Sequence, residues 1–128
     1  MTPTPDRKSQ LVAASTAYFE GLARKDFASI PWAETVVFRG PMSPGGAESP
    51  LMGRDSVLAF FNALGPNLGE VRILTHFLNE DLTAIATKAE VGVLNPGCVL
   101  RVVDLFEVDG VGRITAQENH YDPRPALA

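Results

Sequence analysis

Apolar positions recur along this chain with two different periods, and the change from one to the other divides it. From Arg7 to Lys25 the spacing is helical: Leu11, Ala14, Tyr18 and Leu22 form one stripe, widened by Val12, Phe19 and Ala23. Asp6 stands where an N-cap is needed, behind residues 1–5, which read as a frayed lead-in. Asp26 is placed to cap a short second helix, whose extent Pro31 limits. Val36 to Phe38, β-branched and aromatic, reads as a short strand. Arg39 to Gly53, with Pro41, Pro44, Gly45, Gly46 and Pro50, is a loop of the length that is usually functional or mobile. A second clear helix is predicted over Arg54 to Leu64, with Val57, Leu58, Phe60, Phe61 and Leu64 on its apolar side and Gly65-Pro66 ending it.

Beyond Pro66 the period falls to two. Strands are predicted near 70–78, 82–94, 98–108 and 112–122, joined at Asn79-Glu80-Asp81, Asn95-Pro96-Gly97 and Asp109-Gly110. The last two junctions are good hairpin signals. Helices first and strands last predict an α+β domain in which helices cover one face of a curved antiparallel sheet. A chain of 128 residues reads as one domain, long enough to hide about two-thirds of its extended surface.

The strand from Cys98 to Val108 carries the first chemical signal. One face collects Cys98, Leu100, Val102, Asp104, Phe106 and Val108; the other takes Val99, Arg101, Val103, Leu105 and Glu107. Asp104 is therefore the only charge on its face. An isolated buried carboxylate responds by protonating or by finding donors. It becomes a useful acid if the face lines a cavity, and a structural acid tied to a hydroxyl or amide if it lines solid core. The last strand is polar on both sides, with Thr115, Gln117, Asn119 and Tyr121 opposed to Ile114, Ala116, Glu118, His120 and Asp122. Such a strand fits a polar-lined cavity, a subunit interface, or an edge facing water.

Composition narrows the classes. Fifteen acids against eleven bases disfavour nucleic acid and anionic membrane as partners. No stretch approaches the ~18 apolar residues of a membrane helix, and Met1 to Asp6 lacks a signal-peptide core, so a cytosolic protein is expected. Cys98 alone permits neither an internal disulfide nor a multi-cysteine zinc site; at the start of a strand it reads as a small apolar residue. Two distant histidines without a matching carboxylate pattern do not make a metal site, and no glycine-rich loop opens a helix after a strand. Neither metal nor cofactor is expected. His76, at strand spacing with Arg72 and Leu74, is expected at the surface or an interface, and Glu34 in solvent.

Several segments together resemble a known superfamily. They are Tyr18-Phe19-Glu20-Gly21-Leu22 followed by Asp26-Phe27, Val36-Val37-Phe38-Arg39-Gly40-Pro41, and Gly53-Arg54 with Phe60-Phe61. Val103-Asp104-Leu105-Phe106 before Asp109-Gly110, and the closing Tyr121-Asp122-Pro123, complete the pattern over nearly the whole chain. The chain resembles the nuclear-transport-factor-2-like superfamily, in its SnoaL-like and ketosteroid-isomerase-like branch. The resemblance implies a cystatin-like, cone-shaped α+β barrel, its mostly antiparallel curved sheet wrapped around the N-terminal helices and a pocket, usually as a homodimer. This fold hosts isomerases, polyketide cyclases, epoxide hydrolases, dehydratases and non-catalytic binders. Tyr18 and Asp104 fall on the positions that in ketosteroid isomerases form an oxyanion hole from a tyrosine and a protonated acid. The aspartate that serves that family as base falls on Gly40, which cannot carry a proton, and this counts against steroid-type isomerisation. The resemblance turns Asn119 and Tyr121 toward the pocket, and Glu118, His120 and Asp122 away. Arg101 and Asp104, three apart and on opposite faces, do not rebuild the Asp–Arg–Asp relay of an epoxide hydrolase of this fold.

The reading is a pocket for a small, largely apolar molecule carrying a carbonyl or enol(ate)-like oxygen. Tyr18 and Asp104 would hold that oxygen, Asn119 and Tyr121 orient it, and Trp32, Phe38, Phe60 and Val102 supply apolar walls. The chemistry would be cofactor-free isomerisation, aldol-type cyclisation or dehydration. The alternative is a non-catalytic ligand carrier or dimeric accessory domain without a base.

Overall fold

The computed structural model describes residues 6–127; the expected frayed lead-in over residues 1–5 lies outside them. Helix α1 (Arg7–Arg24) begins at Asp6, whose carboxylate accepts the Lys8 N–H, and ends at Lys25 in the left-handed conformation, φ 58°. The Lys25 N–H reaches Leu22 O and the Asp26 N–H reaches Gly21 O, so the last carbonyls of the helix are satisfied. Lys25 Nζ donates to Leu68 O, tying the helix end to the sheet. The chain then folds back across Gly21, where a Cβ would lie 2.5 Å from Ile30 Cγ1. A 3-10 turn (Phe27–Ser29) stands at the predicted short helix, although Asp26 makes no side-chain cap.

Strand β1 (Trp32–Arg39) is longer than the predicted core of Val36 to Phe38. The loop after it is a succession of turns, Ser43 N to Gly40 O, Gly46 N to Ser43 O and Ser49 N to Gly46 O, and includes the short β2 (Leu51–Met52). Helix α2 (Arg54–Leu64) has the bounds the pattern predicts. Strands β3 (Leu68–Leu78), β4 (Ala84–Val93), β5 (Cys98–Val108) and β6 (Ile114–His120) form the predicted meander, and a one-turn α3 (Arg124–Leu127) follows.

The strand order is β2-β1-β6-β5-β4-β3. β1 runs parallel to β6, and the other pairings are antiparallel. The architecture is the expected α+β cone, its sheet curved and mixed but open, with β2 and β3 as edges. Register shifts at Trp32/Val37, Leu68/Val71, Ile73/Thr75 and Glu107/Val108 bend the strands, and bulges of this kind curl a sheet around what it covers. Leu11, Ala14, Tyr18 and Leu22 of α1 and Val57 and Phe61 of α2 are buried, with Ile85, Ala89, Val102 and Phe106 from the sheet. Tyr18 sits among aromatic edges, 4.9 Å from Phe19, 5.4 Å from Phe106 and 5.8 Å from Phe61 between ring centroids. Among the described residues no helix is long and apolar enough to cross a membrane.

Two bulges change which residues face inward. The shift at Ile73/Thr75 leaves Arg72 opposite Glu90 and Thr75 opposite Lys88, and puts His76 opposite Thr87 on the concave side. His76, expected at the surface or an interface, is half-buried on this side and hydrogen-bonded with Thr87. The shift at Glu107/Val108 places both Ile114 and Gln117 inside, which explains why neither face of the last strand looked apolar.

The close approach at Gly21 yields the first prediction. Gly21→Ala should destabilise the fold by about 1–3 kcal/mol through overpacking, overriding the ~1 kcal/mol such a change gains in an unhindered helix. Urea denaturation reads this directly; an unchanged or higher midpoint would show that the Asp26–Ile30 turn does not depend on the missing methyl.

Candidate functional site

Between α1, α2 and the concave face of the sheet lies a cavity of about 70 Å³. Leu22, Phe61, Leu68, Val91, Leu100 and Val102 make most of its apolar wall, while Met42 from the turn-rich loop and Ala126 from α3 close it from outside. One end is polar, with Tyr18, Asp104, Asn119 and Tyr121. Tyr18 reaches that end because it lies on the buried stripe of α1, and Asp104 because it alternates inward between Val102 and Phe106.

Strand register then assembles a polar row. His76 stands opposite Thr87, Thr87 opposite Asp104, and Asp104 opposite Asn119. The flanking pairs of β4 and β5 are apolar, Ile85 with Phe106 on one side and Ala89 with Val102 on the other. Half of the row is satisfied internally: Ser15 Oγ lies 2.6 Å from Thr87 Oγ1, and His76 Nδ1 2.8 Å from the same hydroxyl. The other half is the Asp104–Asn119 pair, in which Asn119 Nδ2 donates to Asp104 Oδ1.

Desolvation dominates the electrostatics. Burial pushes the Asp104 carboxyl from its ordinary 3.8 up to about 8, with the Gln117 amide acting in the opposite direction. At neutral pH the group is a carboxylic acid and a donor. Burial also raises the Tyr18 phenol well above its ordinary value; the charge Asp104 carries when ionised adds to this, and the Asn119 and Gln117 amides oppose it. Tyr121 is raised by burial and then by Asp104. Three neutral O–H groups therefore face one cavity. Desolvation lowers the His76 pKa, favouring its neutral ring at pH 7.

The cavity brings together Tyr18, Val102, Asp104, Asn119 and Tyr121 of the residues singled out from sequence. Trp32, Phe38 and Phe60, expected as walls, do not line it. Trp32 is buried behind it, stacked on Phe61 at 5.2 Å and donating Nε1–H to Gln117 Oε1 at 2.9 Å. Phe38 is fully buried, in contact with Phe60 and Phe61. The rotation of α2 decides the matter: Val57 and Phe61, one turn apart, point inward, so Phe61 takes the wall and Phe60 the flank. That i, i+4 pair was the available signal. Glu118 and His120 stand opposite Leu105 and Val103 on the convex side.

Gly40 is buried beside the site, where a Cβ would lie 3.1 Å from Asn119 Oδ1. The position next to the polar end thus holds no side chain. Among the described lining residues Asp104 is the one carboxyl, and no histidine accompanies it. Among the described residues no three His, Cys, Asp or Glu side chains gather as a metal site would require.

Comparison with known proteins agrees with this geometry. A family model described as SnoaL-like domain matches residues 15–117. No curated protein matches the chain. An NTF2-like protein from Cytophaga hutchinsonii superposes with a TM-score of 0.74 at 15% identity, over 100% of both chains. A Mycobacterium tuberculosis protein solved in complex with estradiol-17beta-hemisuccinate gives 0.75 at 19% identity, over 88% of this chain and 94% of that one. A steroid delta-isomerase from Pseudomonas aeruginosa gives 0.72 at 21% identity, over 92% of this chain and 83% of that one. At these identities the likeness shows a shared fold.

The raised carboxyl links stability to pH. Below about pH 4 Asp104 is protonated both folded and unfolded; between 3.8 and about 8 only the unfolded chain ionises it, so rising pH favours unfolding across that window. Asp104→Asn has no such proton to lose. Relative to that variant, wild type should lose stability from pH 4 to 8, by up to about 4 kcal/mol at pH 7, and level off above. Denaturation midpoints of the two proteins across this range provide the check. Parallel curves would mean that Asp104 ionises normally.

Proposed function

The chain belongs to the SnoaL-like family, and we propose that its cavity binds a small, largely apolar molecule through a carbonyl or enol(ate) oxygen held by Tyr18 and Asp104. One observation carries this reading: a carboxyl kept protonated by burial at the polar end of a mostly apolar cavity, beside a buried phenol. Two neutral donors suit an oxygen with partial negative charge, and they bind it more strongly as that charge grows. Asn119 and Tyr121 orient the ligand, and Val102 with Phe61 and Leu100 supplies apolar contact. The cavity is smaller than the ~150 Å³ that encloses benzene, so a ring-sized ligand extends toward the mouth past Met42 and Ala126.

The chemistry within reach is cofactor-free proton transfer, as in isomerisation, aldol-type cyclisation or dehydration. Asp104, protonated near neutrality, is suited to act as the acid. A second reading, a ligand carrier or accessory domain, is favoured by Gly40, since no base stands at that position. The steroid-related names of two structural neighbours support a ligand that is apolar with isolated oxygens. We assign a second copy of the chain to the convex face of the sheet, where Phe77, Val103 and Leu105 are exposed, in line with the homodimer that the superfamily resemblance implies.

Ultraviolet titration with a small phenol of near-neutral pKa tests the site, because its phenolate imitates an enolate oxygen. Wild type should bind it saturably, Asp104→Ala should abolish binding, and Tyr18→Phe should weaken it roughly tenfold or more. Absence of binding to wild type would defeat the proposal. With a true substrate, Tyr18→Phe separates the two readings: an enzyme loses turnover, by about a hundredfold, more than affinity, whereas a carrier loses affinity alone.

A further inference from the structure

We propose that Gln117 and Trp32 form a positioning pair for the ionised state of Asp104. In this arrangement the Gln117 amide N–H, idle while Asp104 is neutral, receives the carboxylate once Asp104 has passed its proton to the ligand oxygen. The proposal rests in part on the ligand-binding reading above.

The argument begins with an unmade hydrogen bond. Gln117 is 1% exposed, and its Nε2 is the buried side-chain nitrogen without a partner among the described residues. Buried donors are nearly always paired, so an idle one calls for a state in which it is used. The orientation of the amide is fixed by its other end. An indole N–H is only a donor, so the 2.9 Å contact from Trp32 Nε1 must meet Oε1, and Nε2 is held facing away from it. Trp32 is itself held by its stacking on Phe61.

Register puts the acid within reach of this amide. Gln117 pairs with Phe106, one step along the concave face from the Asp104–Asn119 pair, and a diagonal neighbour at that spacing is within reach of a long side chain. Tyr18 borders the same space, its ring 6.3 Å from Trp32. The amide favours the ionised forms of both Asp104 and Tyr18. Gln117 is not among the cavity-lining residues, so it acts through Asp104 rather than on the ligand. The other titratable groups facing Asp104 are Tyr18 on α1, Tyr121 after β6 and, behind Thr87, His76 on β3; no lysine or arginine lines the cavity among the described residues.

The proton step balances simply. The Asp104 O–H bond breaks, an O–H bond forms on the ligand oxygen, and the electron pair stays on the carboxylate. Its oxygens then accept from Asn119 Nδ2, which already donates to Oδ1, and from Gln117 Nε2. The reverse transfer returns both amides to their present state. Asp104 can thus part with its proton although no lysine or arginine among the described residues lines the site to receive the charge.

Carbon-13 NMR of labelled aspartate carboxyls tests the pair without any ligand, with Asp104→Asn identifying the resonance. In Gln117→Leu the Asp104 titration midpoint should rise by about one pH unit or more, since a hydrogen bond to the anion is lost. Trp32→Phe, which keeps the amide but frees its orientation, should raise it by less. An unchanged midpoint in folded Gln117→Leu overturns the proposal; if that variant does not fold, an unchanged midpoint in Trp32→Phe does so. Phenol affinity at about pH 6, where Asp104 is neutral in both proteins, should differ less than twofold between wild type and Gln117→Leu. A larger loss would make Gln117 a direct ligand contact and overturn its positioning role. Failure of wild type to bind phenol, with the midpoint shift intact, would defeat the ligand reading and leave the pair standing.

Discussion

Desolvation of a single carboxyl, Asp104, sets the character of the whole concave face. A strand that is apolar at Leu100, Val102, Phe106 and Val108 carries this group out of water, and among the described residues no cation lines the cavity to compensate it. Had a lysine or arginine stood opposite, the pair would be an ion pair holding the core together. The residues within reach are instead two phenols, amides and hydroxyls, all neutral. Under those conditions the acid keeps its proton, and its neighbours present donors to one shared space.

The rest of the fold serves that arrangement. Leu11, Ala14, Tyr18 and Leu22 recur on α1 so that the phenol is delivered to the same end of the cavity as the acid. Bulges in β3 and β6 curl the sheet and turn His76 and Gln117 toward its concave side, where His76 shares a hydrogen bond with Thr87 and the Gln117 amide oxygen accepts one from Trp32. Polar groups buried this deeply reduce stability unless fully paired, and most are paired. The exception among the described residues, Gln117 Nε2, lies next to the acid. Local conflicts of that kind, in an otherwise consistent core, are where function is to be sought.

The elements were largely legible in the sequence because their signals are local. Two amphipathic stripes gave α1 and α2, and two turn-marked hairpins gave the meander. Asp104 stood out because strand alternation alone places it among apolar neighbours. What escaped depends on contacts between distant segments. The inward turn of His76 is hidden because a bulge between Ile73 and Thr75 shifts the phase of alternation. Phe60 was favoured over Phe61 because five apolar residues on α2 span more than one face, and only packing against Trp32 and Phe38 fixes the rotation. Gln117 needed both the β6 bulge and the parallel pairing of β1 with β6, which brings Trp32 to its amide across 85 residues.

The protonation state of Asp104 near neutral pH tests the account most directly, and infrared difference spectroscopy between wild type and Asp104→Asn reads it. At about pH 6, well above the ordinary range of a carboxylic acid, the account predicts a protonated-carboxyl band in the wild type alone. That band should give way to carboxylate as the pH passes about 8. A difference spectrum already dominated by carboxylate at about pH 6 would contradict it, and Asp104 would be an ordinary ionised acid rather than a donor to the cavity.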